Sequence, residues 1–229
     1  ILALVAIFDR IFAPSVRWYF RRRVNDAIDE LNERLDLEIQ PFRLTRRQGL
    51  IDQLLYDPDV IAGQGTVAME ILRQHAGPIH AIFVAIGGGG LIAGIASAFH
   101  HLSPNTAVRA VEPQGFDGMG TSLAHGAVET KPLGAKSICD GLLSRRPGDV
   151  PFAIARATGI EGMTIDDASV RKAMKTAFER LKLTLEPSGA AALAALLSGA
   201  VDVADKTVVV IATGSNVALS DYVKHLADA

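Results

Sequence analysis

Apolar residues run almost without a break through Ala81–Ile86 (AIFVAI) and Thr207–Ala212 (TVVVIA), each bounded by glycine or polar turn residues. Short continuous runs of this kind predict strands buried on both faces, as in a parallel sheet. Ala107–Val111 predicts a further strand, ending at Glu112-Pro113. Between these runs the apolar period changes from continuous to helical. Thr66–Gln74 carries Val67, Ile71 and Leu72 on one face, and Leu91–His101 predicts a helix rich in small residues. Asp166–Leu181 predicts an amphipathic helix, capped by Asp166 and Asp167, with Val170, Met174, Phe178 and Leu181 as its buried stripe. Pro187–Leu197 predicts a nearly all-apolar helix closed by Gly199, and a last helix follows Thr213-Gly214-Ser215-Asn216. Gly118–Pro151, rich in glycine and proline, reads as an irregular loop over a site. Strands alternating with helices predict an α/β fold, a mostly parallel sheet with helices on both faces. Ligands in such sheets sit at the carboxyl ends of the strands.

The first fifty-odd residues have a different character. Ile1–Phe12 is apolar but too short to span a bilayer, and Asp9 and Arg10 interrupt it. Arg17–Arg23 forms a basic and aromatic cluster of the kind that contacts a membrane surface through residues 1–23. Val24–Leu37 reads as a charged helix, and Pro41–Gln48 adds positive charge. A solvated amphipathic helix explains the same pattern equally well. The organisation expected is a helical segment over 1–55, foreign to the rest, followed by an α/β unit over 56–229.

Composition narrows the classes. With 229 residues, 49% hydrophobic and 21% charged, the chain is expected to be globular with a substantial core. A net charge of −2 leaves no basic footprint for a nucleic acid. The single cysteine, Cys139, excludes an internal disulfide and fits a cytoplasmic setting, with a buried apolar role favoured over a reactive thiol. The chain opens on Ile1, which reads as an internal fragment or a processed product.

The candidate chemistry begins at Gly87-Gly88-Gly89-Gly90. Four glycines between a buried strand and a helix let several backbone N–H groups converge beside the helix's positive end, an arrangement that binds phosphate. A tight strand–helix connection uses the same residues. Glu112 and Thr213–Asn216 fall at the same ends of strands.

GQGT at Gly63–Thr66, GGGGL at Gly87–Leu91, VEP at Val111–Pro113, EPSGA at Glu186–Ala190 and TGSN at Thr213–Asn216 occur in the order and spacing of one family. From about Tyr56 onward the chain resembles the threonine/serine dehydratases, pyridoxal-phosphate enzymes of fold type II. The resemblance implies that Gly87, Gly88, Gly89, Gly90 and Leu91 donate N–H groups to the cofactor phosphate. It assigns Thr213 to the pyridine nitrogen, where a hydroxyl leaves the ring a moderate electron sink suited to loss of a β-hydroxyl. A strand-end hydroxyl capping the next turn is the plain alternative for Thr213. Glu186 is expected to face the cofactor cavity, or simply to favour a helix N-terminus. Glu112, with the carbonyl of Phe116, matches a divalent-cation site of some relatives, but Gly118 stands where those relatives have a carboxylate. An ordinary surface carboxylate is the alternative for Glu112. The implied reaction is elimination of water and then ammonia from a small hydroxy amino acid, in a protein that can form homo-oligomers.

Two family motifs are missing. The Schiff-base lysine of an S-F-K-type motif and the S-x-G-N-type loop for the substrate carboxylate have no counterpart, and none of the seven lysines precedes Lys131. The chain by itself is therefore expected to be inactive. Residues 16–58 resemble the start of a bacterial glycerol-phosphate acyltransferase, without that family's H-x4-D pair; the simplest account is a joined sequence meeting at Tyr56–Val60. Two other functions compete. Gly88-x-Gly90-x-x-Ala93, with Glu112 as ribose acid, fits a Rossmann-type dinucleotide turn, and residues 1–50 fit a module peripheral to a membrane.

Overall fold

The computed structural model describes Ala3–Ile7 and residues 58–229. Five parallel strands are joined by helices: β1 (Ala3–Ile7), α1 (Pro58–Gln74), β2 (Ala81–Ala85), α2 (Gly90–Leu102), β3 (Ala107–Pro113), α3 (Gly118–His125), α4 (Asp149–Thr158), β4 (Glu161–Ile165), α5 (Asp167–Thr176), α6 (Pro187–Leu197), β5 (Val208–Ala212) and α7 (Leu219–Ala227). The strands lie in the order β1-β5-β2-β3-β4. From β2 the chain steps outward through β3 to β4, then returns to place β5 on the other side of β2. The direction of winding therefore reverses between β2 and β5, which opens a crevice at their carboxyl ends.

The strand interiors alternate between two cores. Ile82 and Val84 of β2 join Val209 and Ile211 against Val67, Ile71, Ile92, Ile95 and Phe99 of α1 and α2. Phe83 faces the other way, with Val208 and Val210, toward Val170, Met174 and the alanines of α6. Both faces are covered, so nothing in β2 or β5 can be polar.

Glycine sets how closely the helices approach. A Cβ on Gly94 of α2 would run into the Ile61 carbonyl and lie 2.6 Å from the Gly65 nitrogen of α1. The reciprocal Cβ on Gly65 would lie 3.1 Å from the Gly94 carbonyl oxygen. The GQGT motif thus includes one side of a glycine-to-glycine helix crossing.

Several expectations are corrected. Ala3–Ile7 lies within the segment expected to be helical but is a strand, because ALVAI pairs residue for residue with the equally apolar Val208–Ala212. The other expectations for residues 1–57 lie outside the described residues. Gly118–Pro151 is not irregular throughout, since it contains α3 and the start of α4. β4 carries little strand signal because EGMTI is a largely exposed edge strand that includes Gly162. The long helix widens into a π turn over Ala177–Leu181, ending at Lys182 with φ 59°. The extra residue per turn carries Phe178 and Leu181 off the buried stripe, leaving them 47% and 42% exposed.

Gly94→Ala is expected to force α1 and α2 apart, since backbone atoms block the methyl. The predicted loss is at least ~2 kcal/mol, or a melting temperature roughly 4–8 °C lower by circular dichroism.

Candidate cofactor site

The crevice is built from backbone. After β2, Ile86 donates its N–H to the Val111 carbonyl at 2.9 Å, and the chain then leaves the sheet through Gly87–Gly90. Gly89 sits at φ 105°, ψ 0° immediately before α2, and no side chain caps that helix. A Cβ on Gly89 would come 2.7 Å from the Cβ of Pro151. None of the N–H groups of Gly87–Leu91 donates to a carbonyl among the described residues. Five consecutive donors and an uncapped helix end form a site for an anion.

A short turn, Asp140–Leu142, closes over this loop. A Cβ on Gly87 would lie 3.2 Å from the Gly141 carbonyl oxygen. The Gly141 N–H donates to the buried Ser188 Oγ at 2.9 Å, and that hydroxyl donates to Asp140 at 3.3 Å. Ser188 lies in the first turn of α6, where the next residue, Gly189, packs its Cα on the Thr213 carbonyl with no room for a methyl. Gly189 also accepts from the Thr213 N–H at 3.4 Å. Glycine loop, Asp140 turn, α6 N-terminus and Thr213 thus meet at the carboxyl ends of β2 and β5. Thr213 is half-buried there. Ser188 within EPSGA and the Asp140-Gly141 turn carry no local sequence signal of these contacts, which join residues 47 and 48 positions apart.

Glu186 stands immediately before α6, and its side chain lies on the turn that follows Thr213. Its carboxylate accepts from the Asn216 N–H at 2.7 Å and covers Gly214, while its own N–H donates to the Gly214 carbonyl at 3.2 Å. It shapes the TGSN turn, with no hydrogen bond to the end of α6.

Glu112 is separate from this cluster and is not a surface carboxylate. It is 2% exposed, and its two oxygens accept from the Met119 and Gly120 N–H groups of α3 at 2.8 and 2.9 Å. Burial pushes its carboxyl up to about 7, against the two N–H donors and Lys131, which pull it down. Buried and bonded to α3 through both oxygens, Glu112 is not displayed to a ligand as the dinucleotide reading requires. Phe116 is buried beside it, its N–H donating to the Pro113 carbonyl at 2.9 Å. Cys139 is fully buried and its thiol is pushed up to about 12 by desolvation, in line with the packing role. Among the described residues no helix is long and apolar enough to cross a membrane.

A glycine turn and a strand-end hydroxyl at the switch point of a doubly covered parallel sheet define an α/β protein of the phosphate-cofactor class. The chain belongs to the pyridoxal-phosphate dependent enzyme family, whose model matches residues 22–214. That match begins upstream of Tyr56, inside the segment expected to be foreign. The L-threonine dehydratase of Burkholderia multivorans is 40% identical over 163 residues, covering 70% of this chain and 32% of that protein. The L-threo-3-hydroxyaspartate ammonia-lyase of a Pseudomonas species is 36% identical over 172 residues, covering 75% of this chain and 53% of that protein. Maize serine racemase superposes with a TM-score of 0.65 at 35% identity, over 73% of this chain and 52% of that one. The chain therefore spans about a third to a half of the length of these relatives. The family's cofactor is pyridoxal phosphate, and the unpaired donors of Gly87–Leu91 fit its phosphate. All seven lysines are described, and none makes a hydrogen bond with the crevice residues.

Because the folded carboxyl of Glu112 titrates above its ordinary 4.5, its protonated form favours the fold. The stability it contributes is complete below pH 4.5 and is lost as pH rises through about 7. Glu112→Gln is expected to flatten that span by up to about 3 kcal/mol, read from urea melts at a series of pH values.

Proposed function

We propose that this chain carries the phosphate- and ring-binding half of a pyridoxal-phosphate lyase acting on a small hydroxy amino acid. The observation that carries the reading is the meeting of the Gly87–Leu91 donors with Thr213 at one crevice. Relatives named for threonine, serine and hydroxyaspartate supply the substrate class. Bound pyridoxal phosphate supplies the electron sink that weakens the Cα–H bond of an amino acid. The chain's own residues do the holding. Gly87–Leu91 donate to the phosphate, the end of α2 adds its partial positive charge, and Thr213 offers a hydroxyl at the ring nitrogen without a formal charge. The Asp140–Ser188 contact keeps the covering turn in place, and Glu186 holds the turn that carries Thr213.

No lysine hydrogen-bonds a crevice residue and the S-F-K-type motif is missing, which supports reading the cofactor as held non-covalently and the chain alone as inactive. Cytoplasmic residence, homo-oligomer formation and the acyltransferase-like, membrane-surface reading of residues 1–55 belong to the same proposal. Liposome co-sedimentation with and without residues 1–50 tests the last of these. A contiguous read of genomic DNA across the Tyr56–Val60 codons tests the joined-sequence account.

Titration with pyridoxal phosphate should give a reversible absorbance change. Gly89→Ala, whose methyl meets Pro151 and whose φ disfavours any side chain, should weaken binding at least ~10-fold. Borohydride should fix the cofactor at no single lysine, and threonine and serine should release no ammonia. Stoichiometric labelling of one lysine with ammonia release would overturn the inactive reading, and no binding at all would overturn the cofactor site.

A further inference from the structure

The resemblance places a divalent cation at Glu112, the Phe116 carbonyl and a carboxylate at position 118. We infer that in this chain that place is closed to a divalent cation and is neutralised from within by the Lys131 ammonium. The inference stands apart from the cofactor reading, because it concerns the β3–α3 junction and none of the crevice residues.

Three observations converge on it. First, the Glu112 oxygens are already engaged by the Met119 and Gly120 N–H groups, 2.8 and 2.9 Å away, in a pocket that leaves the residue 2% exposed. A cation bound there would compete for these oxygens with two buried N–H donors. Second, position 118 has no side chain and is tightly flanked by the backbone of Arg145 and Arg146. A Cβ on Gly118 would lie 3.1 Å from the Arg145 carbonyl oxygen and 3.2 Å from the Arg146 Cα. Third, the neighbouring carboxylate is already paired. Lys131 Nζ donates to Asp117 Oδ2 at 3.0 Å and to Thr121 Oγ1 at 3.2 Å, and Thr121 Oγ1 donates to the same Asp117 oxygen at 3.1 Å. Burial raises the Asp117 carboxyl, but these hydrogen bonds hold it below its ordinary range.

Lys131 serves both parts of this arrangement. Its N–H donates to the Arg145 carbonyl at 2.8 Å, and its carbonyl accepts from Arg145 Nε at 2.7 Å. The backbone that fills the space at position 118 is thus pinned by the residue whose side chain carries the positive charge. Magnesium prefers six oxygens in a nearly octahedral shell and calcium takes six to eight. Among the described residues no group of three or more His, Cys, Asp and Glu side chains could hold a metal. One ammonium offsets one of the two carboxylates and two amide donors solvate the other, leaving at most a single negative charge for a cation to offset.

The test is thermal denaturation of the full chain in EDTA and in about 10 mM magnesium or calcium chloride. The melting temperature is expected to agree within ~1 °C across the three, whereas a cation present at a hundred times its Kd would raise it by roughly 5–10 °C. Lys131→Met is expected to lower the melting temperature by several degrees, and Lys131→Arg to recover most of that loss. A cation-induced rise in the unaltered chain that disappears in Glu112→Gln would overturn the inference. So would Lys131→Met melting like the unaltered chain, or Lys131→Arg melting as low as Lys131→Met. Should Lys131→Met fail to fold, the cation arm on the unaltered chain still decides the matter.

Discussion

The crevice depends on one approach of backbone to backbone: Gly189, in the first turn of α6, lies on the Thr213 carbonyl at the end of β5 with no space for a methyl group. Everything on that side of the switch point follows from it. The approach brings Ser188 under the Asp140 turn, so that one hydroxyl both accepts from Gly141 and donates to Asp140. The turn in turn rests on Gly87, where the anion-binding donors begin. Glu186, just before α6, ties down the turn after Thr213. Two helix starts and two strand ends are held by contacts in which any side chain on the glycines would intrude. Glycine here sets distances, and the positive φ values at Gly89 and Gly214 add a second reason at those two positions.

The same logic holds the opposite face. Gly94 and Gly65 let α1 and α2 touch through their backbones, which draws both helices onto β2 and β5. On the other face, the run of alanines in α6 is buried almost to the last residue, so a thin helix lies flat on the sheet. Thin helices on both faces leave the glycine loop and Thr213 at the rim of a rigid sheet. A preformed site of this kind costs little reorganisation on binding an anion.

The junction at β3 and α3 shows how a buried charge is accommodated. Glu112 ends a strand inside the protein, and the free N–H groups at the start of α3 meet it. Burial still raises its carboxyl, because desolvation outweighs two hydrogen bonds and a nearby ammonium. Lys131 and Asp117 form the partly exposed rim of this cluster, linked to it electrostatically.

Much of this was legible in the residues in order. Unbroken apolar runs marked β2 and β5 because both faces of those strands are covered, and period 3.6 marked α1 and α5. Three of the five motifs, GGGGL, EPSGA and TGSN, meet at the crevice, since a glycine run or a strand-end hydroxyl is a local statement about backbone freedom and chain position. Other features were beyond local reading. β4 is exposed and weakly patterned, and β1 is a strand because the edge of β5 offers it a partner in register. The drift of Phe178 and Leu181 to the surface comes from a π turn that period counting cannot anticipate. The engagement of Glu112 by α3, the turn-holding role of Glu186 and the pairing of Lys131 with Asp117 depend on residues that fold topology brings together. By itself the sequence determined the elements whose reasons are local: buried strands, amphipathic helices, a phosphate-shaped turn and a lysine count. Only the tertiary structure decided which polar groups meet, because hydrogen bonds and ion pairs act over a few ångströms between residues that folding, not order along the chain, makes neighbours.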